Sequence, residues 1–211
     1  MPSEPELKIG ILALQGAVSE HVEALRTALE QTGHRGQILL VKEPAKLEEV
    51  HGLIIPGGES TTIGRLSQIL KLQDRLAQAA ADGMAILGTC AGMVLMAKEV
   101  SDARLGDIGQ PTLGLMDIRV VRNAFGRQRE SFEAELEIPA LGGSLFPGVF
   151  IRAPVVEKVW GAAEVLARYN GKVVAVQEGN MIATAFHPEL ADDTRLHQYL
   201  IKKILRSPLL S

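Results

Sequence analysis

Short, nearly continuous apolar runs recur through the first half of the chain, and segments with helical spacing separate them. The runs are Lys8 to Leu14, Ile38 to Val41, Leu53 to Ile55 and Met84 to Leu87. Apolar runs of this length are typical of strands covered on both faces, as in a parallel sheet. Their alternation with helices predicts a three-layer α/β fold, in which helices flank a largely parallel central sheet and the crossovers are right-handed.

Capping residues indicate where the predicted helices begin and end. Ser19 is a suitable N-cap for the first helix, and Gly33 is a suitable stop for it. A further helix is expected to continue through Leu72 to Ala81. Asp192 or Asp193 is expected to cap the last helix of the chain.

Strand candidates follow one another directly in the second half of the chain. They are Leu115 to Val121, Ser131 to Ile138, Glu164 to Tyr169, Lys172 to Gln177 and Met181 to Phe186. Asn170-Gly171 is a strong hairpin signal, because both residues accept the positive φ that a type I′ turn requires. The sequence therefore predicts extra antiparallel strands, within a single domain that spans residues 1–211.

Charge, cysteine content and hydropathy exclude several classes of protein. The 211 residues include 22 basic and 25 acidic ones, and this net charge of −3 argues against a sequence-independent nucleic-acid binder. A single cysteine cannot form an internal disulfide or a multi-thiolate zinc site. No stretch approaches the roughly 20 apolar residues of a membrane span, and residues 1–8 do not resemble a secretory signal. We therefore expect a cytoplasmic protein that binds neither membrane nor nucleic acid.

The one cysteine lies where a predicted strand, a glycine-flanked turn and a predicted helix meet. Gly88-x-Cys90-x-Gly92 has the form of a nucleophile elbow, a strained turn that holds a nucleophile above the edge of a sheet. The N-terminus of the following helix would favour a thiolate and a developing oxyanion. The alternative is that Cys90 is a small buried apolar residue, and the pattern alone leaves both interpretations open.

A thiolate nucleophile needs a base, and the base needs a residue to orient it. His187 follows an apolar strand within Phe186-His187-Pro188-Glu189, where the proline restrains the backbone and the Glu189 carboxylate could accept the imidazole N–H. The alternative is a surface His-Pro turn with a solvated glutamate. The other four histidines are expected to be exposed; they are His21, His34, His51 and His197.

Two further segments carry candidate binding groups. Pro56-Gly57-Gly58-Glu59-Ser60 leaves another apolar strand, and its glycines could turn backbone N–H groups toward an oxyanion, beside the N–H of Ala91. A plain strand-to-helix turn is the alternative. Several arginines could bind a carboxylate such as that of an amino acid, although most of them are expected to be solvated or in ion pairs; they are Arg122, Arg127, Arg129 and Arg152.

Taken together, these segments resemble the triad-type (class I) glutamine amidotransferases, which have a flavodoxin-like fold. Within that family the chain is similar to the glutaminase subunits of two-subunit pyridoxal 5′-phosphate synthases. The resemblance runs from about Lys8 to the last helix, although Ser101 to Thr112 departs from the family's length. The segments that carry it are Leu14–Ala17, Pro56–Thr62, Gly88–Gly92, Arg122–Gln128, Phe150–Pro154 and Phe186–Leu190.

The resemblance implies a role for each matching residue. Cys90 would be the nucleophile, His187 the general base and acid, and Glu189 the residue that orients the histidine. Gly58 and Ala91 would supply the oxyanion hole. Glutamine would be bound by Gly57, Gly58, Glu59, Arg122, Ile151 and Arg152. Gln15 and Gly16 would lie at the interface with a partner subunit, and neither a metal nor a cofactor is implied.

The implied activity is hydrolysis of L-glutamine to L-glutamate and ammonia through a Cys90 thioester. The ammonia would pass to a (β/α)8-barrel subunit that makes pyridoxal 5′-phosphate, because the sequence leaves no room for an ammonia-using domain beside the glutaminase. Two alternatives remain open. The chain could be the glutaminase of another amidotransferase complex, or a non-catalytic protein that only binds a partner.

Overall fold

The computed structural model describes residues 6–107, 109–125 and 131–210, and these contain twelve strands and six helices. The strands are β1 (Leu7–Leu12), β2 (Gly36–Val41), β3 (Gly52–Ile55), β4 (Ala85–Thr89), β5 (Ala97–Asp102), β6 (Met116–Arg122), β7 (Ser131–Leu136), β8 (Phe146–Ile151), β9 (Val155–Val159), β10 (Glu164–Tyr169), β11 (Lys172–Glu178) and β12 (Met181–Thr184). The helices are α1 (Val18–Thr32), α2 (Pro44–Leu47), α3 (Ser60–Ile69), α4 (Gln73–Ala81), α5 (Ala91–Met96) and α6 (Arg195–Ile204).

A block of parallel strands forms one half of the main sheet, in the order β2, β1, β3, β4 and β12. Every residue of β3 and β4 is buried, as expected for strands with helices on both sides. The apolar runs of the sequence therefore form the parallel strands, and the predicted α/β architecture is confirmed.

The other half of the sheet is mainly antiparallel and continues through β11, β9, β6 and β5. Strand β10 pairs with β11 across the predicted hairpin, in which Asn170 and Gly171 have φ of 48° and 77°. A separate two-stranded sheet joins β7 and β8. The predicted antiparallel addition is thus confirmed.

Three strands were not predicted, namely β5, β8 and β9. Strand β5 is an edge strand, so its sequence AKEVSD has little need of apolar residues. Strand β8 contains Pro147 and Gly148, which are depleted in strands, but it lies in a sheet of only two strands where a missing N–H is tolerated.

The helix ends differ from the predicted ones in several places. Helix α1 begins before Ser19, and the Ser19 hydroxyl donates to Glu20 instead of accepting from the helix backbone. Gly33 has a left-handed φ of 71° and ends this helix, as predicted. The helix expected to continue to Ala81 is broken into α3 and α4, with Lys71 at a positive φ of 56° between them.

The predicted cap of the last helix is only partly correct. Thr194 occupies the N-cap position of α6, while an Asp193 carboxylate oxygen accepts from the backbone N–H of Arg195 at 3.0 Å. The Asp193 carboxylate also binds the Arg195 guanidinium. Asp193 therefore stabilises the start of the helix from one residue farther out.

Helices lie on both faces of the sheet. Helix α1 packs against α6 and α3 packs against α5, while both α5 and α6 contact β3 and β4. The three layers meet in one continuous apolar core. Within the described ranges, no helix is long and apolar enough to cross a membrane.

The close approach of α5 to β3 yields a stability prediction. A Cβ added at Gly92, in the first turn of α5, would overlap the backbone carbonyl oxygen of Ile55, which cannot move without shifting the strand. Alanine usually stabilises a helix by about 1 kcal/mol relative to glycine. We predict the opposite sign for Gly92→Ala, a loss of about 1–3 kcal/mol in the free energy of unfolding measured with urea. An unchanged or larger free energy of unfolding would contradict this packing.

Candidate active site

Four neighbouring parallel strands end at one edge of the sheet, and a predicted site segment follows each of them. In spatial order the strands are β1, β3, β4 and β12. They lead to Gln15-Gly16, to Gly57-Gly58, to Cys90 and to His187 respectively. The topology therefore brings together segments that are far apart in the sequence.

Cys90 occupies a strained turn between β4 and α5. Its φ of 48° and ψ of −99° are unusual for a residue with a side chain. Its backbone N–H donates to the carbonyl of Thr184 at 2.8 Å, which fixes the turn against the end of β12. A Cβ on Gly88 would lie 2.8 Å from the backbone of Gly92, so the crowded turn requires glycine. This is the geometry of the predicted nucleophile elbow.

His187 is held beside Cys90 by the end of β12 and by the two-stranded sheet. Its backbone N–H donates to the carbonyl of Val149 at 2.8 Å. Its Nδ1 lies 2.7 Å from Oε1 of Glu189. Glu189 belongs to the short 3-10 helix Pro188–Leu190, which directly follows His187. His187 and Glu189 are each only 8% exposed, which rules out a solvated surface turn.

The charge of His187 depends on its two side-chain neighbours. Burial alone disfavours the imidazolium, but hydrogen bonds to Cys90 and Glu189, and the negative charges of these groups, outweigh burial and raise the pKa of His187 to about 10. The imidazole is therefore protonated at neutral pH, where it favours a thiolate on the adjacent sulfur.

The loop after β3 packs backbone to backbone against the loop after β1. The Gly57 carbonyl accepts the N–H of Ala17 at 3.0 Å, and Oε1 of Gln15 accepts the N–H of Glu59 at 2.7 Å. A Cβ on Gly16, which has a φ of 114°, would overlap the Gly57 carbonyl oxygen. A Cβ on Gly57 would lie 2.9 Å from Nδ1 of His187. The two glycine loops are therefore one unit, in direct contact with the histidine.

A cleft of about 310 Å³ opens above Cys90, near the lower end of the range for small-molecule sites. The predicted site residues that line it are Gln15, Gly58, Glu59, Cys90, Ala91, Arg122, Ile151, Arg152 and His187. Gly16, Gly57 and Glu189 are not part of its lining. The cleft is thus where the predicted nucleophile, oxyanion donors and binding residues meet.

Charged side chains of both signs occupy one end of this cleft. The Arg122 guanidinium donates to Oε1 of Glu59 at 3.3 Å and to the Gln110 side-chain oxygen at 2.8 Å. Partial burial opposes ionisation of Glu59, but N–H and hydroxyl donors of Thr62, together with Arg122, outweigh it and lower the pKa of this carboxyl. Through Gln110, the segment Ser101 to Thr112 reaches the site.

Part of the predicted arginine cluster cannot be placed. Arg127 and Arg129, with residues 126–128 of the predicted binding segment, lie outside the described residues. Arg152 lines the cleft as predicted.

Backbone strain is concentrated around the cleft. In the described part of the chain, five non-glycine residues have a positive φ, and Cys90, Asn123 and Arg152 are three of them that line the cleft. Such conformations cost about 1–3 kcal/mol each and accumulate at functional sites. The rest of the fold therefore supports a preformed site.

The prediction of four exposed histidines is wrong for His21 and His197, which are completely buried behind Glu189. Nδ1 of His21 lies 3.0 Å from Nε2 of His197, and Nε2 of His21 lies 3.4 Å from Oε2 of Glu189. Helical spacing contained the signal that was missed, because His21 lies four residues before the buried Leu25 on the same face of α1. Within the described ranges, no group of three or more potential ligands could hold a metal ion.

A cysteine elbow, a buried histidine–glutamate pair and a glycine loop lie together at one edge of an α/β sheet, and comparison with known proteins assigns the family. The chain belongs to the SNO glutamine amidotransferase family, whose model matches residues 11–206.

Individual relatives agree with this assignment. The chain is 51% identical to "Pyridoxal 5′-phosphate synthase subunit PdxT" of Methanosarcina mazei, over 94% of this chain and 99% of the relative. It is 49% identical to the protein of the same name in Saccharolobus solfataricus, over 92% of this chain and 98% of the relative. A solved structure of a glutamine amidotransferase matches with a TM-score of 0.81 and 43% identity, covering 93% of this chain and 98% of that one.

The raised pKa of His187 leads to a direct test. Because Cys90 and Glu189 hold the proton on His187, replacing Cys90 by alanine removes one of the two stabilising charges. We predict that NMR titration of the His187 ring gives a midpoint near 10 in the wild-type protein and a clearly lower one in Cys90→Ala. The half-buried ring of His51, which accepts the backbone N–H of Lys8 and whose pKa is lowered by partial burial, serves as the internal control. Equal His187 midpoints in the two proteins would refute the proposed ion pair.

Proposed function

We propose that this chain hydrolyses L-glutamine to L-glutamate and ammonia at Cys90 and delivers the ammonia to a separate synthase subunit that makes pyridoxal 5′-phosphate. The observation that carries the proposal is the juxtaposition of three groups. Cys90, on a strained elbow in the cleft, adjoins His187, whose Nδ1 is held 2.7 Å from Glu189. Membership of a glutamine amidotransferase family and the names of the relatives support it.

In the first step the thiolate of Cys90 attacks the side-chain carboxamide carbon of glutamine. The C=O electron pair moves to oxygen and gives a tetrahedral oxyanion. The proposed donors to that oxygen are the backbone N–H groups of Gly58 and Ala91, and Ala91 is the first residue of α5. His187, already protonated, then gives its proton to the nitrogen as the C–N bond breaks, and ammonia leaves a γ-glutamyl thioester.

Hydrolysis of the thioester requires His187 to act as a base. Formation of the thioester removes the thiolate, one of the groups that raises the pKa of His187, so the neutral ring becomes accessible at this stage. His187 then takes a proton from water, the hydroxide attacks the thioester carbon, and the Cys90 thiolate leaves with glutamate released. Glu189 keeps the ring in one orientation through both steps.

The charged end of the cleft suits the α-amino and α-carboxylate groups of glutamine. Glu59 carries a negative charge that complements the ammonium group, and the guanidinium groups of Arg122 and Arg152 complement the carboxylate. Gly57 shapes the loop beneath them, and Ile151 lines the cleft next to the sulfur, with its carbonyl 3.9 Å from Sγ of Cys90. The substrate would thus be held at the end away from its reacting amide.

The proposed partner is a (β/α)8-barrel subunit of pyridoxal 5′-phosphate synthase, in the cytoplasm, where the catalytic thiol stays reduced. Gln15 and Gly16 are the proposed contact residues. Both contact the Gly57–Glu59 loop, so docking at these residues would act directly on the proposed oxyanion donor Gly58. This connection would suppress glutamine hydrolysis in the absence of the synthase.

Glutamate release tests the catalytic part of the proposal. The wild-type chain mixed with the barrel subunit should release glutamate from glutamine, and Cys90→Ala should lower the rate by at least about 10⁴-fold, since the nucleophile is lost. The rate is measured by coupling glutamate to a dehydrogenase, and equal unfolding midpoints show that both proteins are folded. Hydrolysis that survives Cys90→Ala would overturn the mechanism.

The same assay separates the alternatives. Stimulation by the pyridoxal 5′-phosphate synthase barrel supports the proposed partner, and stimulation only by a different ammonia acceptor would assign the chain to another amidotransferase complex. A wild-type chain that binds the barrel but never hydrolyses glutamine would support a purely binding role.

The contact between the two loops can be tested at Gln15. Gln15→Ala removes the acceptor of the Glu59 N–H and should lower barrel-stimulated hydrolysis by up to about tenfold, the equivalent of one hydrogen bond. Gln37→Ala is the matched control, because Gln37 is an exposed glutamine whose side chain donates to Glu6 at the far edge of the sheet. Equal rates for the two variants would show that the loop contact has no part in activation.

A further inference from the structure

A buried row of polar side chains continues behind the proposed triad, where the mechanism above makes no use of it. Oε2 of Glu189 is fully shielded from solvent and has no close hydrogen bond among the described residues. Nε2 of His21 lies 3.4 Å from it and 3.2 Å from the hydroxyl of Thr89, the neighbour of Cys90. His197 lies behind His21, at 3.0 Å.

The contacts select one arrangement of protons in this row. Nδ1 of His197 has no hydrogen-bond partner in the described part of the protein. Burying an N–H group that has no acceptor costs more free energy than burying a ring-nitrogen lone pair that has no donor. The proton of His197 therefore belongs on Nε2, from which it is donated to Nδ1 of His21, and the proton of His21 belongs on Nε2, facing Glu189 and Thr89.

Both histidines are neutral donors in this arrangement. Burial, followed by the neighbouring His197 and His187, lowers the pKa of His21 well below its ordinary value, and burial lowers the pKa of His197 to about 4. A cationic His21 would compete with His187 for the charge of Glu189. A neutral N–H that faces the second carboxylate oxygen from 3.4 Å stabilises it electrostatically while it leaves the negative charge to stabilise the imidazolium.

We infer that His21 is a positioning residue for the glutaminase reaction, which holds Oε2 of Glu189 so that Oε1 stays directed at Nδ1 of His187. The effect on the reaction rests on the proposed function, whereas the orientation of Glu189 by His21 does not. His21 comes from α1 and His197 from α6, so the packing of these two helices behind the sheet is connected to the orientation of the catalytic ring.

Two substitutions of His21 separate positioning from core filling. The amide nitrogen of glutamine falls near the position of Nε2 and that of asparagine near Nδ1, so His21→Gln keeps a donor on Glu189 and His21→Asn loses it. We expect His21→Asn to lower kcat for glutamine hydrolysis about 10- to 100-fold with little change in KM, because Oε2 of Glu189 loses the N–H that faces it and is left buried without a polar neighbour at that position. We expect His21→Gln to stay close to wild type.

The matched control is His197→Phe, which disrupts the same buried row at similar volume but leaves the donor on Glu189. It should keep kcat near the wild-type value, although it lowers the unfolding midpoint. If His21 only filled the core, the kcat values of all three variants would follow their unfolding midpoints, and this result would overturn the inference. His21→Phe replaces His21→Asn in the comparison if the asparagine variant does not fold.

A spectroscopic readout makes the inference independent of glutamine hydrolysis. The Nδ1 proton of His187, shared with Glu189 at 2.7 Å, should give a proton NMR signal far downfield of the amides. This signal should persist in His21→Gln and His197→Phe and should shift or vanish in His21→Asn. A wild-type protein that shows this pattern but releases no glutamate would refute the proposed function alone. An unchanged signal in a folded His21→Asn would refute the role of His21.

Discussion

Parallel pairing of β1, β3, β4 and β12 is the constraint on which the whole site depends. In register, Ile55 pairs with Gly88 and Thr89 pairs with Thr184, so the ends of three of these strands are level. The chain therefore leaves each of these strands at the same edge of the sheet, and helices begin at that edge too. A shift of β12 by one residue would turn its side chains to the opposite face and remove His187 from the elbow.

The polar side chains of the site form one line that runs from the half-buried Cys90 into the interior. Cys90, the protonated ring of His187 and Glu189 follow one another, and the neutral histidines His21 and His197 end the line in the interior. An isolated buried charge is expensive, and the protonated ring of His187 lies between two groups that stabilise it. The glycine loops add only backbone dipoles, so they can approach His187 without disturbing this balance.

Local sequence patterns predicted what depends on local chemistry. The apolar runs predicted the parallel strands, Asn170-Gly171 predicted the hairpin, and the glycines around Cys90 predicted the elbow, because backbone conformation at these places is set by the residues themselves. The edge strand β5 and the burial of His21 and His197 depend on which elements pack together. The preferences of single residues do not reveal which elements pack together. The helical spacing of His21 and Leu25 was a usable signal for the burial of His21, but the prediction did not use it. The extent of the domain and the roles of the site residues stay predictions.

Direct observation of the acyl-enzyme tests the central claim, that Cys90 is acylated by glutamine. The wild-type chain, together with the proposed barrel subunit, is mixed with glutamine, quenched in acid within the first turnovers, and examined by mass spectrometry of the intact chain and of its peptides. The account predicts a γ-glutamyl adduct confined to the peptide that contains Cys90, which hydroxylamine removes. Steady release of glutamate without any adduct on Cys90, or with an adduct on another residue, would contradict it.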